Sequence, residues 1–325
     1  MQAVLVREGG ALNVESVPDP EPRPDDVVVQ LRAAAVNRRD LLVRNPPGPA
    51  YRFPLPVIPG SDGAGIRRDT GEEVVIYPGL GWGDREDAAG PDWRILGGPD
   101  NGTYAELVKV PRANVFPKPQ RLSWDEAAAF PLVGLAAYRA LFSVGGLRDD
   151  ETVLVLGAGG GVSTLAVPLA AQAGARVFVT SSSQEKIARA RELGAEGGVL
   201  YTQGDWPDEI RELTAGRGVD VVLDSVGSTW GDSLRCLRRG GRLLVFGGTG
   251  GPTVEVDVRF VYLSWLSILG TTMGSGRDFE ALLRMVEDGS WSPVVDSVRP
   301  LTEAEAAHDR MARGLHFGKL VLATS

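Results

Sequence analysis

The chain has 325 residues, enough for two domains, with 43% hydrophobic and 23% charged residues, a globular composition. A formal charge of −8 argues against a nucleic-acid partner, which needs a basic face. One cysteine, Cys236, excludes an intramolecular disulfide and suits a reducing compartment.

The start MQAVLVREGG lacks a basic opening followed by a long apolar run, so no signal peptide is expected. No stretch reaches the roughly 18 apolar residues of a membrane span. The expected location is cytoplasmic. From Met1 to about Pro119 short valine-rich runs between proline and glycine clusters predict strands, clearest at 2–7, 27–35, 73–77 and 104–110. Residues 37–43 predict one or two helical turns. At Ser123 the texture changes: Ser123-x-x-Glu126 is a capping box opening an alanine-rich helix that Pro131 interrupts, and a further helix is predicted from about Gly134 to Ser143.

The stretch from Glu151 to Arg191 reads strand, glycine turn, helix, strand, helix. Glycines between a strand and a helix let backbone approach a pyrophosphate, whose charge the helix N-terminus favours. The fingerprint is incomplete in both registers. Gly157-x-Gly159-x-x-Val162 lacks its third glycine; Ala158-x-Gly160-x-x-Ser163 has small residues throughout but one glycine of three. Ser163 either loosens helix packing or adds a hydroxyl near the pyrophosphate. Strands at 199–201, 219–224 and 242–246 and helices at 207–214 and 229–237 continue the alternation, so a parallel sheet with helices on both faces is expected. After Gly270 the alternation stops. Helices at 277–288 and 303–313 and a strand at 319–323 are assigned back to the first domain, which makes the nucleotide domain an insertion.

Five ordered motifs carry a family likeness: Ala34-Ala35-Val36-Asn37-x-x-Asp40, Leu55-Pro56-x-Ile58-Pro59-Gly60-x-Asp62-x-Ala64-Gly65, the turn from Ala158 to Ser163, Leu193-Gly194-Ala195, and Phe317-Gly318-Lys319. Across essentially its whole length the chain resembles the medium-chain dehydrogenase/reductase superfamily, and within it the zinc-independent quinone oxidoreductases. The resemblance implies an α/β Rossmann domain (123–268) inserted into a GroES-like, β-rich substrate domain (1–122 and 269–325), a cleft between them, and hydride transfer with a nicotinamide cofactor. It also implies a homodimer or dimer-based oligomer, paired at the sheet edge around Ser267 to Leu269.

In zinc-bearing relatives a Cys stands where this chain has Asn37, a His-Glu pair where it has Ser61-Asp62, and another Cys near Leu132. Catalytic zinc needs three protein ligands, so none is expected here. Residues 77–104 resemble a structural-zinc lobe without its cysteines. Trp82 and Trp93 lie near two of those positions, and either aromatic burial or a mobile loop is compatible with them.

An NAD enzyme places an acid at the end of the second Rossmann strand. Here the position is Ser181, followed by Ser182 and Lys186, and hydroxyls with an ammonium suit a 2′-phosphate. The same serines would also make a helix cap. NADP(H) is the expected cofactor, and relatives imply Ser182, Lys186 and Tyr201 on the phosphate. The turn residues Ala158, Gly160, Gly161 and Val162, together with Phe246, Gly247, Thr271, Thr272 and Met273, complete the expected cofactor site. Without a metal, donors must stabilise the oxygen that gains charge, and the candidates are Asn37 and Tyr51. Asp40 is expected to cap the helix or pair with Arg38 or Arg39. The expected function is NADPH-dependent reduction of a small-molecule quinone or α,β-unsaturated carbonyl. The alternatives are an alcohol or aldehyde dehydrogenase and a non-catalytic NADPH-binding sensor.

Overall fold

The computed structural model describes residues 1–324. The chain forms two compact units, Met1–Val133 with Ser275 to the C-terminus, and Gly134–Gly274. These bounds fall later than the sequence boundaries at 123 and 269, and packing gives the reason. The helix at Trp124–Ala129 buries its alanines on the sheet of the first unit, and Ser267–Gly270 is a strand of the second unit's sheet.

The first unit begins with β1 (Gln2–Val6), β2 (Leu12–Ser16), β3 (Asp26–Ala35), α1 (Arg38–Arg44), β4 (Asp62–Arg67), β5 (Glu73–Ile76), β6 (Gly79–Leu80), β7 (Arg94–Ile95), β8 (Leu107–Pro111), β9 (Val115–Pro117) and α2 (Trp124–Ala129). Then α3 (Pro131–Tyr138) leads into β10 (Thr152–Val155), α4 (Gly161–Gln172), β11 (Arg176–Ser181), α5 (Gln184–Glu192), β12 (Gly197–Leu200), α6 (Trp206–Leu213), β13 (Val219–Asp224), α7 (Trp230–Cys236), β14 (Leu237–Val245), α8 (Val258–Leu263) and β15 (Ser267–Gly270). The chain returns to the first unit through α9 (Gly276–Asp288), β16 (Val295–Pro300), α10 (Ala304–Ala312) and β17 (Lys319–Ala323).

In the first unit the main sheet has the order β16-β17-β3-β4-β5-β9, with β8 also paired to β3. Along β3 the inward residues Val27, Val29 and Leu31 alternate with more exposed ones, as a sheet with one covered face requires. β4, DGAGIR, escapes a propensity reading because two of its six residues are glycine. A Cβ on Gly65 would lie 2.2 Å from the Gln30 carbonyl oxygen, so glycine here is what lets β4 approach β3. Two further elements the pattern missed are β16 and α8. Ser123 does form its capping box: its hydroxyl accepts from the Glu126 N–H at 3.3 Å and the Glu126 carboxylate accepts from the Ser123 N–H at 2.8 Å. Pro131 begins the next helix, earlier than the Gly134 expected, because proline suits a first helical turn.

The second unit is a parallel sheet of order β12-β11-β10-β13-β14-β15. Its central strands β10 and β13 are buried along their whole length, as strands covered on both faces must be. The core gathers Leu154, Phe178, Val222, Leu243 and the single cysteine, Cys236. The strand order reverses between β10 and β13, and ligands of such sheets bind beyond the carboxyl ends at that point. No helix of the described residues is long and apolar enough to cross a membrane.

Candidate active site

Register brings the polar centre of the first unit together. β17 runs antiparallel to β3 with Val321 opposite Ala35, and two residues further along the same register Lys319 faces Asn37. β4 pairs with β3 so that Asp62 lies opposite Ala35. Lys319 therefore enters a buried triad. Its ammonium donates to Asn37 Oδ1 at 2.6 Å and to Asp62 Oδ2 at 3.0 Å. Asn37 Nδ2 donates to Asp62 Oδ2 at 2.9 Å and more distantly to the Ala35 carbonyl at 3.4 Å, and the Leu132 N–H donates to Asp62 Oδ1 at 2.7 Å. All three side chains are at most 2% exposed. Such a charge pair persists in the interior because every charged atom has a partner.

A second chain of polar groups runs behind the first. Asp40 Oδ2 accepts from the Asn37 N–H at 2.8 Å, closing a capping box on α1, which is the capping role expected of Asp40. The same oxygen accepts the Tyr104 hydroxyl hydrogen at 2.9 Å, and His308 Nε2 lies 3.2 Å from the Tyr104 oxygen. The hydroxyl's one hydrogen goes to Asp40, so Nε2–H donates to the hydroxyl oxygen. Asp40 Oδ1 and His308 Nδ1 are buried without partners. Burial raises Asp40 to about 6, although the Asn37 N–H, Arg39, Tyr104 and Lys319 all favour its charged form. Burial, then the neighbouring Arg44, lowers His308 to about 4, and burial followed by the Asp40 charge pushes Tyr104 up.

Arg39, which the sequence suggested as a partner of Asp40, has a larger task. Its guanidinium donates to the carbonyls of Ile95, Leu96, Gly97 and Gly98 and lies 5.8 Å from the Phe53 ring centre. Segment 77–104 is thereby tied to α1 by a cation and four carbonyl oxygens. Its tryptophans meet edge to face at 6.0 Å, with Trp82 Nε1 donating to the Arg85 carbonyl at 2.8 Å. Aromatic burial is therefore present, and Arg39 is the anchor that sequence reading missed. Tyr51 sits half-buried on a short turn, Pro49–Tyr51, between Asn37 and Asp62 in the chain.

In the second unit, five of the six strands deliver nominated residues at or just beyond their carboxyl ends: the turn after β10, Ser181 on β11, Tyr201 after β12, Phe246 and Gly247 after β14, and Thr271 after β15. Gly157 and Gly159 adopt φ of 74° and 101°, which favours glycine, so the first register of the fingerprint marks the turn. Gly160 begins α4 with no side-chain cap, and Gly160, Gly161 and Val162 stay partly exposed. The first N–H groups of a 12-residue helix thus stand available to an anion. Ser163 Oγ lies 2.8 Å from the carbonyls of both Gly157 and Gly160, where it pins the turn to the helix.

The serine run divides its labour. Ser181 is buried and accepts from the Ser183 N–H at 3.2 Å; Ser183 caps α5 by accepting from the Lys186 N–H at 3.4 Å; Ser182 remains exposed. Lys186 is half-buried, and Tyr201 is 48% exposed. After β14, a Cβ on Gly247 would meet the Ser225 carbonyl oxygen at 2.9 Å. The Thr271 hydroxyl is buried without a partner, Thr272 is exposed, and Met273 holds a strained φ of 50°. A residue not nominated, Asp224, orders the loop after β13: its Oδ1 accepts from the N–H groups of Val226 and Gly227 at 2.6 and 3.0 Å. An uncapped helix start, left-handed glycines and an orphaned hydroxyl on one edge fit a dinucleotide.

The alcohol dehydrogenase GroES-like domain family matches residues 23–120, and the zinc-binding dehydrogenase family matches residues 161–288. The chain is a medium-chain dehydrogenase/reductase. A crystal structure of an NAD-dependent alcohol dehydrogenase is 40% identical to this dehydrogenase/reductase, covers 100% of both chains and superposes with a TM-score of 0.94. The NAD-dependent alcohol dehydrogenase of Sulfurisphaera tokodaii is 30% identical over 98% of each chain. The quinone oxidoreductase of Mus musculus is also 30% identical, over 99% of this chain and 97% of that one. This dehydrogenase/reductase is accordingly an oxidoreductase that binds a nicotinamide cofactor, which when bound supplies or accepts the hydride.

Proposed function

We propose that the enzyme uses NADPH to reduce a quinone or an α,β-unsaturated carbonyl compound without zinc. The observation that carries this reading is the Lys319 ammonium between Asn37 and Asp62. Zinc would need three donors there, and Asn37, Ser61 and Asp62 do not fit it: an amide, a hydroxyl that donates to the Leu96 carbonyl at 2.7 Å, and a carboxylate already neutralised by an ammonium. Among the described residues no three His, Cys, Asp or Glu side chains gather to hold a metal. A simple aldehyde needs strong polarisation of its oxygen, whereas a quinone or enone spreads the incoming charge over a conjugated system and needs only hydrogen-bond donors. Asn37 retains one amide hydrogen that only the 3.4 Å contact to Ala35 occupies, and Tyr51 supplies a hydroxyl.

The preference for NADPH is supported by the hydroxyl of Ser182, the ammonium of Lys186 and the absence of an acid at the end of β11. An aspartate or glutamate there would bind a ribose hydroxyl and repel a phosphate.

The decisive experiment follows nicotinamide absorbance with a benzoquinone, an aliphatic enone, a simple aldehyde and a simple alcohol. Turnover is expected with the first two and NADPH. Turnover confined to alcohol and aldehyde, together with stoichiometric zinc in the purified enzyme, supports the dehydrogenase reading that the names of the similar alcohol dehydrogenases favour; binding of NADPH with no turnover supports a sensor. As its partner we propose a second copy. β15 is an edge strand of the parallel sheet, and Val258, Tyr262, Leu263 and Trp265 beside it are 71%, 59%, 60% and 66% exposed. A monomer in analytical ultracentrifugation at micromolar concentration would remove that part.

A further inference from the structure

The turn after β1 and the loop after α1 border a half-open cavity of about 660 Å³, a volume within the range typical of small-ligand sites. One side of it is apolar, with Val43, Phe53 and Leu55 on the lining and Tyr51 beside them. Three arginines also line it, and two are already satisfied. Arg7 makes a bidentate pair with Glu15 at 2.7 and 2.6 Å. Arg44 donates to the Gly10 carbonyl at 2.7 Å and pairs with Glu305. The guanidinium of Arg52 makes no hydrogen bond or ion pair with any described residue, although it stands on the same loop as Tyr51. A fork of donors left open beside the apolar part of this lining matches a carboxylate carried on a hydrocarbon chain. Glu8, the one acid on the lining, adds a negative charge that suits a monoanion better than a doubly charged phosphate.

We propose that this cavity is a substrate subsite, in which Arg52 binds the carboxylate of an aliphatic unsaturated ketone whose chain lies along Phe53 and Leu55. The proposal rests on the reductase reading for the reacting end of that substrate; the anion site itself does not depend on it.

The test uses two aliphatic enones of equal chain length, one neutral and one ending in a carboxylate, with NADPH and the full-length enzyme. The carboxylate enone should have a KM at least about tenfold lower, as expected for a charged hydrogen-bonded pair. Arg52→Gln should bring the ratio of the two KM values close to one, Arg52→Lys should keep part of it, and raising the salt to about 0.5 M should shrink it. Calorimetric titration of octanoate against 1-octanol reads the same site without turnover. Equal KM values in the wild type, or a preference that survives Arg52→Gln, overturns the subsite while leaving the reductase reading intact. Octanoate binding that disappears in Arg52→Gln, with neither enone consuming NADPH, keeps the subsite and overturns the reductase reading.

Discussion

The Asp40–Tyr104–His308 chain makes two titrations that oppose each other. Asp40 titrates at about 6 in the folded protein against 3.8 for an ordinary carboxyl, so folding gains from its protonation. That contribution is fully present below pH 3.8 and is lost as pH rises through about 6. His308 moves the other way, from 6.5 to about 4; its contribution is present above pH 6.5 and is lost as pH falls through about 4. Each shift exceeds two units, so each amounts to about 3 kcal/mol at about 1.4 kcal/mol per unit. In the wild type the two slopes nearly cancel between pH 4 and 6.5, and single variants should unmask them. His308→Gln removes the rising slope, so its stability relative to wild type should fall by about 3 kcal/mol from pH 4 to 6.5. Asp40→Asn should show the reverse, gaining on the wild type as pH rises. Urea unfolding in half-unit pH steps, taken as the difference from wild type so that other groups cancel, gives both slopes. Two differences independent of pH, or two of the same sign, would refute the opposed titration.

Three further outcomes follow from the same contacts. Lys319→Met strands the buried Asp62 carboxylate and should cost about 3–5 kcal/mol, and adding Asp62→Asn should recover a clear part of it; urea unfolding of a double variant no better than the single would show that the two groups are uncoupled. Arg39→Met removes the donors to the 95–98 carbonyls, so hydrogen exchange in residues 77–104 should quicken well before that of β3, whereas unchanged protection would assign the lobe's order to its tryptophans. Ser182→Asp puts a carboxylate where the 2′-phosphate is expected and should raise the KM for NADPH at least about tenfold while sparing NADH; equal effects on both would remove Ser182 from cofactor choice.

The parts of the fold read correctly from sequence are those with local causes. A glycine turn between an apolar strand and a helix, or a serine three residues before a glutamate, acts within a few residues of itself. Ser163 shows where that reading stops. Its identity was plain, but its two carbonyl partners depend on how tightly the turn folds back, and only the structure distinguishes a hydroxyl spent on the turn from one offered to a ligand. Likewise Ser181, Ser182 and Ser183 are identical in sequence and differ in burial and in what they bond.

The triad was illegible for a different reason, and it is the deeper one. Lys319 is legible in sequence only as the last residue of the motif Phe317-Gly318-Lys319, without a role, because a lysine at the start of an apolar strand is ordinarily solvated. What places it against Asn37 is the pairing of β17 with β3, set across 282 residues by the alternation of both strands rather than by any motif near either residue. A one-residue slip would turn Lys319 to the other face and leave Asp62 buried without its cation. The strand register is therefore tied to the electrostatics of the site: the hydrophobic pattern that closes the sheet also delivers the charge that satisfies Asp62. Arg39 illustrates the same dependence, since its four carbonyl partners lie more than 50 residues downstream. In the lobe of residues 77–104 and at the Asn37–Asp62 pair alike, the polar groups are met by a cation whose immediate sequence neighbours do not reveal its partner.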